Sequence, residues 1–307
     1  MSIATASATP AAASAGRRWR EGYALPLATV LMALLVIWYA AAVWLNAPQV
    51  IDLAFRDRPE WTAADLVEAT WSMERPVLPA PHQVAIEFYE SVFEHEITSR
   101  RSLAYHAMVT ASATLVGFLF GIGLGVLLAV GIVHLRTLDR SLLPWIIASQ
   151  TVPILAIAPM IIVVLGNAGF TGLLPKAVIS MYLCFFPVAI GMVKGLRSPD
   201  PLQLDLMRTY SASQAQTFWK LRSPASVPFL FASLKVAIGI SLVGAIVGEL
   251  PTGAQEGIGA RLLTGSYYGQ TIQIWAALVM AALLGMLLVA LVGLLERLTL
   301  RQMGVQP

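Results

Sequence analysis

The sequence predicts an all-α polytopic membrane protein with six transmembrane helices. Of its 307 residues, 57% are apolar and 12% are charged, whereas soluble domains carry about 25% charged and about 45–50% apolar residues. Apolar stretches long enough to cross a bilayer recur along the chain. Such stretches must be helical, because lipid offers no partners to unpaired backbone groups.

Six stretches are long enough to span the hydrocarbon core, which takes about 20 residues. They cover residues 25–45, 104–133, 141–165, 173–195, 229–250 and 272–296. The first has the length of a full span, whereas the apolar core of a signal peptide has about 7–15 residues. We therefore expect an uncleaved first helix behind a disordered cytoplasmic tail over residues 1–24, with a cleaved signal peptide as the alternative.

Lysine and arginine residues predict the orientation of the spans. With the amino terminus inside, the cytoplasmic segments hold twelve of these residues and the outer segments hold seven. Five of the seven lie in the long segment 46–103, and the positive-inside rule gives long loops the least weight. The sequence therefore predicts a multi-pass protein of the plasma (inner) membrane with both termini in the cytoplasm.

The long outer segment and the spans around it set the expected domain boundaries. The stretch APHQVAIEFYESVFEHEI carries apolar residues at helical spacing, which favours an amphipathic helix at the membrane interface. We expect residues 25–103 to hold the first transmembrane helix and this outer amphipathic segment. Residues 104–298 should form the core, with a polar cytoplasmic loop at 197–228.

A glycine-rich stretch, GFLFGIGLG, lies in the middle of the second span. Its residues Gly117, Gly121 and Gly125 are spaced by four, so they share one face of a helix. No strand precedes the stretch and no acidic residue follows it at the spacing of a dinucleotide fold. Small residues on one helix face let a second membrane helix approach closely. We therefore predict tight helix packing and not a nucleotide loop.

The sequence lacks the motifs of several kinds of chemistry. It contains no Gly-Lys pair and hence no P-loop for ATP, so an ATPase that drives it must be a separate chain. Its one cysteine, Cys184, excludes an intrachain disulfide and a thiolate metal site. We expect no catalytic residue, metal or cofactor in this chain. The net charge of +3 is interpreted as an orientation signal, with no nucleic acid as a partner.

Two sets of residues are candidates to line the pathway, namely Gln150, Thr151 and Pro153, and Tyr267 and Tyr268. Gln150 and Thr151 lie beside Pro153 in the third span, and a proline frees backbone carbonyls that must find other partners or line a cavity. This favours a kinked gate, with an ordinary kinked helix as the alternative. Tyr267 and Tyr268, in a glycine-rich outer loop, fit either an aromatic belt at the interface or stacking on a flat ligand.

Three ionisable residues lie in or near the spans, namely Lys176, Lys235 and Glu249. Such residues usually face the bundle interior or a water-filled cavity. Glu249 ends the fifth span and is a further candidate pathway residue, as a gate or substrate contact; the alternative is an interfacial carboxylate in contact with water. Lys235 lies close enough to the inner surface to extend its ammonium group to it.

The polar stretch DLMRTYSASQAQTFWKLRSPASVP, residues 205–228, interrupts the apolar half of the chain. Good helix formers over 205–217 predict a short helix on the inner membrane surface. Such a helix would present Tyr210 and Phe218 to the cytoplasm or to a partner protein. A plain connecting loop is the alternative.

This stretch is similar to the signature of binding-protein-dependent ATP-binding-cassette importer permeases, E-A-A-x-x-x-G followed nine residues later by I-x-L-P. Asp205 stands at the acidic position, and Leu206 and Met207 stand where the signature has alanines. Ser211 stands in place of the glycine, and serine restricts the turn that glycine allows.

The second part of the signature keeps its spacing as well. Leu221 stands at the isoleucine, Ser223 at the leucine, and Pro224 keeps the proline. Neighbouring stretches, including ASQTVPILAIAPMIIVVLG and SLVGAIVGELPTGAQEGIGARLL, look like the nitrate/sulfonate/taurine-type branch of these permeases. The resemblance covers residues from about 78 to 298.

The resemblance implies a type I importer permease fold, with two permease subunits, expected to be a homodimer, around the pore. It also implies a cytoplasmic ATP-binding subunit, which carries the ATP and Mg, and an extracytoplasmic substrate-binding protein. The helix over 205–217 would couple the permease to the ATPase, and Asp205 and Arg208 would pin it by charge.

The branch implies a small solute, either a sulfonate- or nitrate-like anion or a planar nitrogen heterocycle such as a pyrimidine or riboflavin. Few basic residues lie in the spans, which favours the heterocycle. The alternative function is an ion-coupled secondary transporter. That class needs coupling-ion sites inside the spans and often an inverted repeat, and the sequence has neither an acidic pair in the spans nor a clear repeat.

Overall fold

The computed structural model describes residues 24–56, 60–251 and 255–304. These residues form helices and loops, with no strand among them, so the all-α prediction is confirmed. The predicted tail over 1–24 lies outside the described residues, apart from Ala24, which begins the first helix. Internal packing divides the chain into two units, Met1–Ala85 and Ile86–Pro307.

Twelve α-helices follow one another in the described part of the chain. They are α1 Ala24–Leu53, α2 Ala63–Trp71, α3 Pro81–Tyr89, α4 Leu103–His134, α5 Arg136–Ser149, α6 Ile154–Asn167, α7 Leu173–Leu196, α8 Pro201–Thr209, α9 Gln214–Thr217, α10 Ser223–Gly248, α11 Ile258–Tyr268 and α12 Thr271–Gln302. Short π-helical turns, Glu90–Glu94 and Phe218–Arg222, follow α3 and precede α10.

In the first unit, a returning loop is tied to the long helix α1, which has 30 residues and continues beyond the predicted first span. The buried Asn46 side chain donates to Leu78 O at 2.8 Å and accepts from the Val77 N–H at 2.8 Å. Trp38 Nε1 donates to Pro79 O at 3.0 Å. These bonds satisfy backbone groups of the loop that would otherwise be buried without partners.

Three helices, α4, α7 and α10, form the core of the second unit. Along the predicted glycine stripe of α4, Gly117 faces Ser180 of α7, and Gly125, two turns later, faces Val188. A Cβ atom at Gly125 would lie 2.8 Å from the Cβ of Val188, so only a glycine fits without movement. The predicted close packing is confirmed. Because the residue numbers rise together, α4 and α7 run parallel.

Helix α10 packs on α7 in the opposite direction, since Gly195 faces Ser226 and Ser180 bonds to Ser241. Hydroxyl groups join the three core helices near their middle. The Ser180 Oγ donates to Ser241 O at 2.7 Å, and the Ser241 Oγ donates to Thr114 O of α4 at 3.0 Å. Such bonds stabilise membrane helices, because lipid offers no competing partner.

Helices α5 and α6 connect the end of α4 to the start of α7, which lies at the opposite end of the core. The third span, predicted as one helix over 141–165, consists of two helices whose axes differ by 99°. The chain leaves α4 at one end and must enter the parallel helix α7 at the other, so the bent pair has to cross the bilayer. Five described helices are long and apolar enough to cross on their own, and this pair makes the sixth crossing, as the sequence predicted.

Helix α12 is joined to α10 by a charge pair. Lys235 of α10 was expected to extend to the membrane surface, but it forms an ion pair with Glu296 of α12. The pairing stabilises both groups, because a paired charge in a membrane helix costs less than a single one.

The glycine stripe yields a matched pair of variants. Gly125→Ala places a Cβ against Val188 and should lower stability by about 1–3 kcal/mol, the usual cost of overpacking. Gly123→Ala, on the open face of the same helix with no atom within 4 Å, should be neutral or stabilising, since alanine is the better helix former. Thermal unfolding in detergent measures both. Equal effects would contradict the packing of α4 on α7.

Candidate functional site

The helix α8 begins with a strong amino-terminal cap. The Asp200 side chain accepts a hydrogen bond from the Leu202 N–H at 2.8 Å, and the Gln203 side chain accepts one from the Asp200 N–H at 3.2 Å. Pro201 occupies the first turn, where its missing N–H costs nothing. This reciprocal cap fixes the start of the helix four residues before the predicted one.

The end of α8 corrects the helix predicted over 205–217. Helical structure stops at Thr209, and Ser211 has φ +50°, the one positive value among the described non-glycine residues. Ser213 then caps the next short helix by accepting from the Gln216 N–H at 3.2 Å. Serine side chains compete in this way with a continuing helix.

Ser211 stands where the signature has glycine, and it adopts the left-handed conformation that glycine adopts most easily. The turn is closed by hydrogen bonds from the Ser211 N–H to Arg208 O at 2.8 Å and from the Ala212 N–H to Met207 O at 3.0 Å. The substitution therefore keeps the backbone turn and adds strain, which costs about 1–2 kcal/mol for a residue with a Cβ.

One face of α8 is apolar and exposed. Leu204 and Met207 are half-buried, whereas Leu202, Leu206 and Tyr210 are 77%, 56% and 77% exposed. The three exposed residues are spaced by four, so they form one stripe along the helix. An exposed apolar stripe on a polar loop is typical of a surface that another protein covers.

The charged residues predicted to pin α8 to a partner bind each other. Arg208 Nη1 donates to Asp205 Oδ1 at 3.0 Å, and both side chains are mostly exposed. Such a pair on one helix contributes about 0.2–0.5 kcal/mol. It stabilises α8 and leaves the predicted contact with a partner untested.

The segment after α8 is tied to the core. Arg222 Nη1 donates to Leu196 O, the last residue of α7, at 3.1 Å. Of the other signature residues, Leu221 is half-buried and Pro224 lies exposed in the first turn of α10, where proline fits a helix. The sequence predicted a start at 229, but α10 begins at Ser223, so the signature residue Pro224 belongs to a core helix.

Glu249 lies at the other end of α7 and α10, and it is fully buried. Its carboxylate accepts from the Thr110 hydroxyl at 2.9 Å and from the Gly259 N–H at 2.9 Å, and it lies 3.6 Å from Lys176 Nζ. This burial contradicts the alternative of an interfacial carboxylate in contact with water. Three segments, from α4, α7 and the start of α11, supply the partners that a buried carboxylate needs.

The loop before α11 is fixed by the same cluster. The Gly257 N–H donates to His106 Nδ1 at 2.9 Å, while His106 Nε2 lies 2.8 Å from Arg100 O. This places the imidazole proton on Nε2. Lys176 Nζ donates to Glu256 O at 2.9 Å. Gly257 has φ +115°, and a Cβ there would overlap the Glu249 carboxylate. Both the backbone angle and the lack of space therefore require glycine at this position.

The remaining candidate pathway residues lie apart from this cluster. Gln150, Thr151 and Pro153 form the exposed break between α5 and α6, and the polar bonds described for Gln150 and Thr151 are to Ser149 and Ala148. Tyr267 and Tyr268 lie at the end of α11, 72% and 68% exposed. Their roles stay predictions.

Sequence reasoning missed His106 and Thr110, which bring the cluster together. Both side chains are on α4 and buried in the second unit. Thr110 bonds to Glu249, which lies 139 residues later in the sequence. A threonine in a membrane helix has no local signal that distinguishes it from one that bonds its own backbone.

Comparison with known proteins agrees with this architecture. A family model described as binding-protein-dependent transport system inner membrane component matches residues 121–304. The chain belongs to this family. It is therefore a multi-pass permease subunit of an ATP-binding-cassette importer of small solutes, with the type I importer permease fold. The predicted family and fold are confirmed.

Three curated relatives show the branch. The riboflavin transport system permease protein RibX of Chloroflexus aurantiacus is 30% identical over 92% of this chain and 91% of its own length. The formylaminopyrimidine transport permease protein ThiX of Halalkalibacterium halodurans is 29% identical over 73% and 85%. The nitrate import permease protein NrtB of Leptolyngbya laminosa is 28% identical over 69% and 76%.

Because the turn after α8 is strained, a change to glycine should have opposite effects on stability at Ser211 and at Ser141. Ser211→Gly should stabilise the turn by about 1 kcal/mol, because the Cβ penalty is removed. Ser141→Gly, at an exposed helical serine of α5, should destabilise, because glycine weakens a helix interior. Hydrogen exchange of the α8 and α5 amides measures each effect locally. Reduced protection of α8 in Ser211→Gly would contradict the assignment.

The buried pair of Lys176 and Glu249 predicts that the stability losses of the two single variants are not additive. Lys176→Met and Glu249→Gln should each lower stability by about 3 kcal/mol, since each leaves one buried group without its ionic partner. The double variant should lose clearly less than the sum, because no unpaired charge remains. Thermal unfolding of the three proteins in detergent measures the coupling, and additive losses would show that the two groups do not act as a pair.

Proposed function

We propose that this permease takes its energy from a separate cytoplasmic ATP-binding subunit that docks on α8. The observation that carries the proposal is the capped helix α8, whose exposed stripe of Leu202, Leu206 and Tyr210 lies on a loop outside the core. ATP and Mg would be bound by the partner, and the permease would do no chemistry of its own.

The connection from α8 to the far end of the core supports a mechanical role. α10 has 26 residues, which is about 39 Å of helix, and it leads from the α8 segment to Glu249. The bond from Arg222 to Leu196 joins the starting end of α10 to the finishing end of α7. A displacement of α8 by the ATPase would therefore move two core helices together and reach the loop that Glu249 fixes.

The orientation follows from the distribution of lysine and arginine. With both termini in the cytoplasm, α8 faces the ATPase and the Glu249 cluster faces outward. A substrate-binding protein would deliver the solute at that outer end. A second copy of this chain would complete the pore, with Gln150, Thr151 and Pro153, exposed at the break between α5 and α6, as candidates to line it.

The solute we favour is a planar nitrogen heterocycle. Among the described residues of the core helices, the basic groups near the outer end are few, and Lys176 is paired with Glu249. This arrangement is poorly suited to a bare anion, which needs unpaired positive charge. The names of two relatives, for riboflavin and formylaminopyrimidine transport, support the same class, whereas a third is named for nitrate.

The docking of the ATPase is tested by one substitution in the stripe. Leu206→Asp should reduce co-purification of the ATPase with the tagged permease by at least about tenfold, because a charge in a desolvated apolar contact costs more than 1.4 kcal/mol. Solute uptake should fall in parallel, and the amount of permease in the membrane should not change. Mass spectrometry of the purified complex provides the measurement.

Tyr267→Asp is the matched control, since Tyr267 is similarly exposed, at 72%, but lies at the end of α11. It should retain the ATPase. Full retention of the ATPase by Leu206→Asp would refute docking on α8. Recovery of the permease alone, with uptake driven only by an ion gradient, would favour the secondary transporter instead.

A further inference from the structure

A cavity of about 430 Å³ opens at the Glu249 end of the core. It lies between the end of α6, the start of α7, the end of α10 and the segment before α11, and its polar and aromatic lining consists of Phe170, Thr171, Lys176, Gln255 and Glu256. Its size falls in the range of small-molecule sites, about 300–1,000 Å³. The mechanism proposed above does not account for it.

One wall of the cavity presents hydrogen-bond donors. Lys176 is buried, and its ammonium group, which has three N–H donors, uses one on Glu256 O at 2.9 Å and faces Glu249 at 3.6 Å. The lining also contains Gly172, which precedes α7 and gives that helix no side-chain cap. The free N–H groups of a helix start attract an acceptor.

The cavity lining also includes an apolar ring. Phe170 lies in the short loop between α6 and α7, with 52% of its surface exposed. Gly166, one turn earlier, adds no side chain, and a Cβ there would meet no atom within 4 Å. The ring is therefore open to a flat molecule, and stacking on an aromatic ring is worth about 0.5–1.5 kcal/mol.

The charges around the cavity are balanced in pairs. Lys176 lies beside Glu249, and Arg100 binds Glu256 at 3.2 Å and the Gln255 side-chain oxygen at 3.2 Å. Within the described residues that line the cavity, each charged side chain thus has an opposite charge as its neighbour. Balanced charges offer little net attraction to an ion, while donors and a ring suit a neutral polar solute.

We propose that this cavity binds the transported solute as a neutral, flat heterocycle, with a ring carbonyl toward Lys176 and the start of α7 and the ring face against Phe170. The assignment rests on the proposed import of a planar heterocycle. The cavity is then the outer end of the translocation path, next to the loop that Glu249 fixes.

The test uses the low cysteine background of the chain. Its one cysteine, Cys184, is fully buried, so a cysteine introduced at Thr171, on the cavity wall, reports on the cavity. The Thr171→Cys protein in nanodiscs is labelled with a soluble maleimide, with and without riboflavin or uracil. We expect one or both heterocycles to slow labelling by about tenfold at about ten times the Kd, because only the empty site is labelled.

Two further changes decide whether the protection arises as proposed. Phe170→Ala, added to Thr171→Cys, should raise the concentration needed for protection about tenfold. The double change Lys176→Met with Glu249→Gln removes the donor and its counter-charge together and should abolish protection. Ile97→Cys, at a residue that is 58% exposed and does not line the cavity, is the control for labelling away from the cavity and should show no protection.

Three results would overturn the assignment. They are no protection by either heterocycle, protection that is unchanged in the Phe170→Ala protein, and protection by methanesulfonate in place of the heterocycles, which would indicate an anion site. Uptake of the same heterocycles by cells that contain the permease and its ATPase separates this failure from failure of the proposed function. Uptake that persists while protection is absent refutes the cavity alone.

Discussion

The close approach of α4, α7 and α10 is the constraint on which the second unit depends. In lipid, burying apolar side chains gains little, so helices associate through close packing and hydrogen bonds. The stripe Gly117, Gly121 and Gly125 brings the α4 backbone against α7. The hydroxyls of Ser180 and Ser241 then join all three helices. This packing sets the parallel direction of α4 and α7, and that direction requires the bent pair α5–α6 to cross.

The same three helices link the two candidate sites. α7 has 24 residues, about 36 Å of helix, and joins Lys176 in the Glu249 cluster to Leu196, where Arg222 is bound. Both sites lie close to core helices in the sequence, since α8 follows α7 after four residues and Glu249 follows α10 directly. A tightly packed interior transmits such displacements because it cannot deform continuously.

Patterns within one element were predictable from the sequence, and contacts between distant elements were not. The spans, the glycine face of α4 and the break near Pro153 follow from local hydropathy, spacing and proline chemistry. The helix over 205–217 was placed wrongly because its end depends on the backbone angle of Ser211, which composition does not specify. The burial of Glu249 was not predicted, because Thr110 and Lys176, which face its carboxylate, are 139 and 73 residues away in sequence.

The pairing of Lys176 with Glu249 has a consequence for the membrane potential. A single charge that crosses the full field changes its energy by about 2.3 kcal/mol per 100 mV. Lys176 and Glu249 lie 3.6 Å apart, so when their end of the core shifts, both charges move through nearly the same part of the field and their electrical work cancels. A shift of this pair is therefore insensitive to the membrane potential.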